Sequence, residues 1–261
     1  MVRFDNLPRP FVPRLTSAAR LAEASAGVWR LEIPAGPPGP YRLAQLDDYG
    51  SLARRSFPWR PPFLLHLQAR ASSATIPGTW GFGLWNNPFG MALLRGVELL
   101  RLPALPNAIW FFHASRENYL SLRDDLPARG WLAATFRSPR WPAPVLALGL
   151  PAGPLLLARP GVRLLRRLGR RIVHQSAERL PHDPAAWHSY HFIWKAERAE
   201  FHVDDELVLE TKAAPHGPLG LVIWIDNQYA ALPPDGRVSF GTLATPEPAW
   251  IEVRALAVEI G

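Results

Sequence analysis

Proline is spread so densely through this chain that long helices are excluded over most of its length. The sequence has 29 prolines among 261 residues, and a proline inside a helix removes a backbone hydrogen bond and clashes with the preceding turn. Between the prolines and glycines lie short stretches rich in β-branched and aromatic residues, which is the pattern of strands bounded by turns. The sequence therefore predicts an all-β protein, a sandwich or jelly roll of two antiparallel sheets.

Residues 27–261 are predicted to form a single domain, because a chain of this length can bury one core without dividing. Residues 1–26, with Pro8, Pro10 and Pro13, are expected to be an irregular lead-in. The stretches predicted as strands are Val28–Ile33, Phe63–Ala71, Thr79–Trp85, Ala108–His113, Trp131–Phe136, Trp187–Trp194, Ala199–Val203, Leu219–Ile225 and Trp250–Val258.

An apolar and arginine-rich segment at about residues 141–177 interrupts the strand pattern. Residues 141–158 are uncharged and approach the length of a membrane span, but four prolines argue against one continuous helix there. From Pro160 onward the pattern predicts a short amphipathic helix. One side carries Leu164, Leu165, Leu168 and Ile172, and the opposite side carries Arg163, Arg166, Arg167, Arg170 and Arg171.

The basic charge of the protein is concentrated around this helix. The formal net charge is +7, and nine arginines with no acid lie between Leu126 and Ala177. Two interpretations stay open: a surface helix that packs its leucines on the body, or an element that lies on an anionic membrane surface. Nucleic acid is not an expected partner, because no recognised nucleic-acid motif accompanies the arginines.

Several kinds of chemistry are excluded or disfavoured by the residues present. The chain has no cysteine, so it has no disulfide, no thiolate metal site and no cysteine nucleophile. Its eight histidines form no H-x-H or H-E-x-x-H pair, so no metal or other cofactor is expected. The N-terminal sequence lacks the apolar core of a secretory signal, so a cytoplasmic location, peripheral to the membrane if the helix binds lipid, is expected.

Two stretches carry a family resemblance. Residues 187–194 read WHSYHFIW and are followed by FHVD at 201–204, while residues 78–85 read GTWGFGLW. The first pair resembles the terminal hairpin of the concanavalin A-like lectin/glucanase superfamily, as in family 16 glycoside hydrolases, and the second is similar to the G-T-W strand of that family. The resemblance implies a two-sheet antiparallel jelly roll with a ligand bound on the concave sheet.

The resemblance does not extend to the catalytic motif. Family 16 catalysis depends on a strand that reads E-x-D-x-x-E, whose outer glutamates act as nucleophile and as acid/base. The single glutamate in the corresponding interval is Glu98, which is followed by Leu-Leu-Arg-Leu-Pro. The resemblance therefore implies the fold without the standard activity.

Aromatic and polar residues near predicted strand ends form the candidate ligand groove, because indole rings stack on sugar faces while polar groups set orientation. The candidates are Trp80, Trp85 and Asn86; Trp110 and His113; and Trp224, Asn227 and Tyr229. Ordinary core packing is the alternative for each tryptophan.

Acid/base chemistry, if present, is assigned to Asp226 with Asp48. Adjacent residues of a strand point to opposite faces, so the Asp47–Asp48 and Asp124–Asp125 doublets can each supply one carboxyl to a site. Both doublets also suit turns, where aspartate accepts bonds from backbone N–H groups.

Three functions remain compatible with these features. The favoured one is a protein that binds a glycan or glycoconjugate in a tryptophan-lined groove without family 16 catalysis. The second is an enzyme that performs acid/base chemistry on an apolar or amphiphilic small molecule, such as a lipid or isoprenoid, at a membrane. The third, least favoured, is a glycosidase with relocated carboxylates. The sequence identifies neither the ligand nor the oligomeric state.

Overall fold

The computed structural model describes residues 10–16, 18–88, 104–142, 145–146, 155 and 157–261, and these residues form mainly β-strands. The strands are β1 Val12–Leu15, β2 Arg20–Ser25, β3 Val28–Ile33, β4 Leu43–Asp47, β5 Phe63–Ala71, β6 Thr79–Trp85, β7 Ala108–Ala114, β8 Gly130–Arg137, β9 His174–Arg179, β10 His188–Trp194, β11 Ala199–Val203, β12 Glu206–Thr211, β13 Gly220–Asp226, β14 Gln228–Ala231, β15 Ser239–Thr242 and β16 Ala249–Ile260. The helix α1 spans Arg159–Ile172, and Arg54–Ser56 form a single 3-10 turn.

Two seven-stranded antiparallel sheets make up the body. Sheet A has the order β1-β4-β13-β6-β7-β8-β9, and sheet B has the order β12-β11-β10-β5-β16-β3-β2. Strands β14 and β15 form a separate hairpin. Because many neighbours in each sheet are distant in sequence, the sheets depend on long-range pairing, as in a jelly roll.

The main core lies between the two sheets and follows from strict alternation along the strands. On β5, the buried residues Phe63, Leu65, Leu67, Ala69 and Ala71 alternate with half-buried ones. From sheet A, alternate residues of β6 and β13 reach the same core. Each strand of sheet A therefore has a second set of side chains that points away from sheet B.

Every stretch predicted as a strand is a strand in the structure, and the predicted all-β sandwich class is confirmed. Strands β1 and β2 lie within residues 1–26, so the predicted irregular lead-in is wrong for residues 12–15 and 20–25. These are edge strands; β2, which reads RLAEAS, is largely exposed and lacks the apolar alternation that would have revealed it.

The helix in the arginine-rich segment is present as α1, but its orientation differs from the packing expected for a leucine stripe. Leu164 and Leu168 are 44% and 42% exposed, whereas Arg166 is only 5% exposed. The interpretation in which the leucines pack on the body is therefore wrong for these two residues. Arg166 is also removed from the predicted membrane-facing set, since it points into the protein. Within the described ranges, no helix has the length and apolar character needed to cross a bilayer.

Candidate ligand site on the outer face of sheet A

The face of sheet A that points away from sheet B carries a continuous set of aromatic rings. Trp85 on β6, Trp110 and Phe112 on β7, and Trp224 on β13 all lie on this outer face. The ring centroid of Trp110 is 6.0 Å from Trp85, 5.4 Å from Phe112 and 5.6 Å from Trp224. We call Trp85, Trp110, Phe112 and Trp224 the aromatic cluster.

Two glycines of β6 make room for this cluster. Gly81 and Gly83 point to the outer face between Thr79 and Trp85. A Cβ at Gly81 would lie 3.0 Å from Cη2 of Trp224, and one at Gly83 would lie 2.6 Å from Cα of Trp110. The alternating glycines in GTWGFGLW are therefore the sequence signal for the cluster. In the sequence analysis, the same stretch indicates only the resemblance to a family strand.

Hydrogen bonds hold two of the indole rings in place. The Nε1–H of Trp85 donates to the Tyr49 hydroxyl at 2.5 Å, and that of Trp224 donates to Oγ1 of Thr79 at 3.0 Å. Nε1 of Trp110 has no acceptor among the residues that the structure describes. Trp224 and Phe112 are buried, whereas Trp85 and Trp110 are partly exposed and so are the rings that a ligand can reach.

Asp226 closes one end of the cluster at the last residue of β13. Its Oδ1 accepts bonds from Thr79 Oγ1 at 2.9 Å, Thr79 N at 3.2 Å and Gln228 N at 3.1 Å. Its Oδ2 accepts a longer bond from the Tyr41 hydroxyl at 3.3 Å. Burial raises the pKa of Asp226 to about 6. The carboxyl thus orients Thr79, which in turn holds Trp224.

Asp48 does not pair with Asp226, so the predicted acid/base pair is wrong. Asp48 points inward, where Oδ2 accepts the Trp59 indole N–H at 2.5 Å and Oδ1 accepts the Leu221 N–H at 2.9 Å. Leu221 is five residues from Asp226 along β13, which corresponds to about 17 Å. Burial raises the pKa of Asp48 to about 7 despite these bonds.

Asp47, the other member of the doublet, is the carboxyl that faces outward. It is paired with Arg14 and accepts the Gly50 N–H at 2.7 Å and the Gln45 amide at 2.9 Å. Asp47 lies opposite Val222, four residues from Asp226 along β13, or about 13 Å. This separation exceeds the roughly 5–9.5 Å between the carboxyls of glycosidases.

Strand β7, which follows the G-T-W strand β6 and pairs with it, carries no carboxylate. It reads AIWFFHA and presents Trp110 and Phe112 to the outer face. Glu98, the glutamate considered for the missing motif, lies outside the described residues. Strand β7 therefore contributes aromatic side chains and no acid to this face.

Trp80 and His113 lie in the core between the sheets, so their assignment to the ligand groove is wrong. The Trp80 ring stacks on Trp131 with centroids 4.1 Å apart, and on His113 with centroids 5.6 Å apart. Trp80 is five residues from Trp85 on β6, and His113 is three residues from Trp110 on β7. Because these spacings are odd, both side chains point inward, away from the outer face.

The buried imidazole of His113 predicts a loss of stability in acid. Nε2 of His113 donates to the Ala74 carbonyl at 3.2 Å, and burial lowers the pKa of His113 to about 4. The unfolded chain, with a pKa near 6.5, therefore takes up a proton as the pH falls through 6.5, while the folded chain resists it until about 4. The stabilising contribution is complete above pH 6.5 and is lost toward pH 4.

We expect the difference in unfolding free energy between the native protein and His113→Gln to fall by about 2 kcal/mol from pH 7.5 to pH 5. Glutamine retains a donor for Ala74 but does not titrate, so the comparison cancels the opposite trends of Asp48 and Asp226. Urea denaturation at the two pH values measures it. If the difference in unfolding free energy between the two proteins is the same at both pH values, His113 is not held neutral in the folded protein.

The amides predicted for the site are engaged in holding loops. Asn86 donates to the Leu105 carbonyl at 2.8 Å and accepts the Asn107 N–H at 3.0 Å. Asn227 is fully buried and bonds to the backbone of Pro40, Arg42 and Leu243. Tyr229 lies on the β14–β15 hairpin, against Gly241, outside the aromatic cluster. Of the eight predicted ligand residues, the structure therefore brings Trp85, Trp110 and Trp224 together.

In the part of the chain that the structure describes, no three His, Asp or Glu side chains are arranged to hold a metal ion. The absence of a cofactor stays a prediction.

Comparisons with solved structures identify the architecture. The Bacillus licheniformis β-glucanase superposes with a TM-score of 0.50 at 11% identity, covering 99% of this chain and 95% of the glucanase. A legume lectin-like domain from Entamoeba histolytica gives a TM-score of 0.46 at 10% identity, with 95% and 90% of the chains covered. The carbohydrate-binding module CBM66 from Bacillus subtilis gives 0.42 at 10% identity, with 98% and 99% covered.

No family model and no curated protein matches this sequence. The likeness to the glucanase shows the fold alone, which is the concanavalin A-like jelly roll that the two sequence stretches implied.

Proposed function

We propose that this concanavalin A-like jelly roll binds a glycan or glycoconjugate on the outer face of sheet A, without the two-carboxylate catalysis of family 16 glycoside hydrolases. The observation that carries the proposal is the aromatic cluster, in which partly exposed Trp85 and Trp110 lie over buried Trp224 and Phe112. Rigid indole faces of this kind match the apolar faces of pyranose rings.

The support is the rigidity of the aromatic cluster. Tyr49 and Thr79 fix two of the rings before a ligand arrives, which lowers the entropy lost on binding. Asp226, at the end of β13, orients Thr79 and so keeps Trp224 in place.

The arrangement of acids argues against glycoside hydrolysis. On the described part of the outer face, Asp47 is neutralised by Arg14 and lies about 13 Å along the sheet from Asp226. A retaining or inverting mechanism needs two carboxyls close enough to act on one glycosidic bond. Binding without standard catalysis is therefore the better interpretation.

Replacement of Trp110 should weaken glycan binding about tenfold, equivalent to about 1.4 kcal/mol of stacking. Binding is measured on an immobilised glycan panel that includes β-glucan oligosaccharides, chosen because the superposed enzyme is a β-glucanase. Trp110→Ala removes the ring, whereas Trp110→Phe keeps a smaller aromatic ring, so Phe should lose less.

The matched control is Trp250→Ala, on the outer face of sheet B, where Trp250 stacks with the guanidinium of Arg30. This variant should bind as the native protein does. If folded Trp110→Ala binds every glycan as well as the native protein does, the aromatic cluster is not the ligand site.

A second candidate is an enzyme that acts on an apolar or amphiphilic molecule such as a lipid or isoprenoid. Leu43, Val222 and Leu132 are buried beside the cluster, so the surroundings of the aromatic rings are aliphatic, which suits an apolar ligand. The pKa of about 6 at Asp226, due to burial, would suit proton transfer near neutrality. Native mass spectrometry of protein purified without organic solvent separates the candidates, because a retained saccharide supports the first and a retained lipid the second.

A further inference from the structure

We infer that the exposed face of α1 docks onto an anionic phospholipid bilayer, through Leu157, Leu164 and Leu168 together with the arginines between them. This inference is independent of the ligand on sheet A. It rests on which side of the helix is attached to the body, and on what remains on the other side.

The body-facing side of α1 is held mainly by a polar contact. Arg166 donates to the backbone carbonyls of Ser121, Leu122 and Leu232 and to the carboxylate of Asp124. Val162 is buried on the same side, and Gly169 faces Leu122, whereas Gly161 packs against Leu155, which precedes the helix. Residues spaced by three or four positions share a helix face, so this side runs through 162, 166 and 169.

The opposite side of α1 interleaves leucines with cations. Leu164 and Leu168 are 44% and 42% exposed, and Leu157, just before the helix, is 90% exposed. Arg167 and Arg171 are exposed next to Leu164, and exposed Arg163 lies at the edge of this surface, so the boundary between the leucine side and the arginine side faces solvent. Leucine side chains that contribute little to attachment of the helix are therefore presented to solvent.

The exposed arginines have no ion-pair partner among the described residues. The carboxylate that pairs with the helix is that of Asp124, and it forms ion pairs with Arg166 and Arg170. Arg163 donates to the backbone carbonyl of Asp235 and keeps its charge unpaired. Because Arg166 and Arg170 pair with Asp124, we exclude both from the five arginines predicted to face a membrane. The three that remain are Arg163, Arg167 and Arg171.

A neighbouring hairpin extends the apolar surface. The turn at Gly236 packs against the Arg159 backbone at the start of α1. Four residues further, at most about 13 Å along the chain, Phe240 is 75% exposed on β15. The hairpin that contacts the start of the helix therefore carries one more exposed apolar side chain, of the aromatic kind that enters the headgroup region of a bilayer.

Charge complementarity specifies the kind of bilayer. Cations near an anionic surface each contribute about 1 kcal/mol, a factor of about five in affinity, and the leucines contribute by entering the acyl boundary. A face with leucines alone would fit a protein partner equally well, and one with arginines alone would fit any polyanion. The mixture favours acidic phospholipid.

The test is co-sedimentation of the full chain with vesicles of phosphatidylglycerol and phosphatidylcholine, compared with vesicles of phosphatidylcholine alone. We expect binding to the acidic vesicles only. Leu157→Ser/Leu164→Ser/Leu168→Ser should lower the partition coefficient at least tenfold, and Arg163→Gln/Arg167→Gln/Arg171→Gln should lower it about 100-fold.

Matched variants separate this face from general charge and apolarity. Arg20→Gln/Arg55→Gln/Arg116→Gln removes the same charge from exposed positions elsewhere, and Leu207→Ser removes a leucine that is also exposed on β12. Both should bind like the native protein. Unchanged binding by the α1 variants, equal losses in the matched variants, or equal binding to neutral vesicles would each overturn the proposal. So would tight duplex DNA binding that the leucine changes leave unaltered while vesicle binding is absent.

Discussion

Arg166→Met is expected to lower the stability of the α1 attachment by about 2–3 kcal/mol, the usual cost of leaving buried polar groups without a hydrogen-bond partner. Arg166 lies 2.9 Å from the Ser121 carbonyl, 3.2 Å from the Leu122 carbonyl and 2.9 Å from the Asp124 carboxylate. Methionine fills a similar volume but donates to none of them, so buried carbonyls lose their partner.

Hydrogen exchange and urea denaturation together measure this effect. Exchange in α1 reports detachment of the helix, while denaturation reports the body. The control is Arg167→Met, which makes the same change at the adjacent exposed position and should alter stability by less than about 0.5 kcal/mol. If the α1 amides are equally protected from hydrogen exchange in the two variants, Arg166 does not anchor the helix.

Gly83→Ala is expected to destabilise the protein by about 4 kcal/mol, through overpacking and backbone strain acting together. Gly83 has a φ of +151°, and a Cβ there would lie 2.4 Å from the Ile109 carbonyl oxygen and 2.6 Å from Cα of Trp110. Both contacts are with β7 backbone, which cannot move without opening the β6–β7 pairing on which the aromatic cluster stands.

Gly130→Ala is the matched comparison, because Gly130 has a φ of +81° but no atom within 4 Å of the added Cβ. It should cost only about 1 kcal/mol, the conformational term. Thermal or urea denaturation of the two variants gives the difference. Equal losses would show that contact with β7 is not the cause, and that Gly83 is required only for its backbone conformation.

The strands that cross the core were predictable because their burial alternates with period two. On β5, Phe63–Ala71, every second residue is buried, and the predicted bounds equal the observed ones. The predicted bounds also equal the observed ones for β3, β6 and β11, and burial alternates on β11 as well. Strands β1, β2 and β12 lie at sheet edges, where one or both faces contact water, so the sequence carries little apolar periodicity there.

The site was predicted in part. Trp85, Trp110 and Trp224 were predicted to lie in a ligand groove, and they share one face of sheet A. Trp80 and Trp85 are both tryptophans of β6, but an odd spacing of five residues places one in the core and the other outside. Which parity faces outward depends on where sheet B packs, and no local pattern reports that.

The orientations of the two acids and of the helix were likewise decided by the tertiary structure. Asp47 and Asp48 are adjacent in sequence, and the position of Trp59 decides that Asp48 turns inward. In α1, one of the two interpretations placed the leucines against the body. Arg166 points inward instead, because it donates to the Ser121 and Leu232 carbonyls and to the Asp124 carboxylate.

By itself, the sequence determined the strands that cross the core and the two-sheet class, because alternation and proline spacing are local properties. The tertiary structure alone decided which side of each strand and helix is buried, since that choice depends on partners as far as 185 and 173 residues away, such as Tyr41 with Asp226 and Asp48 with Leu221.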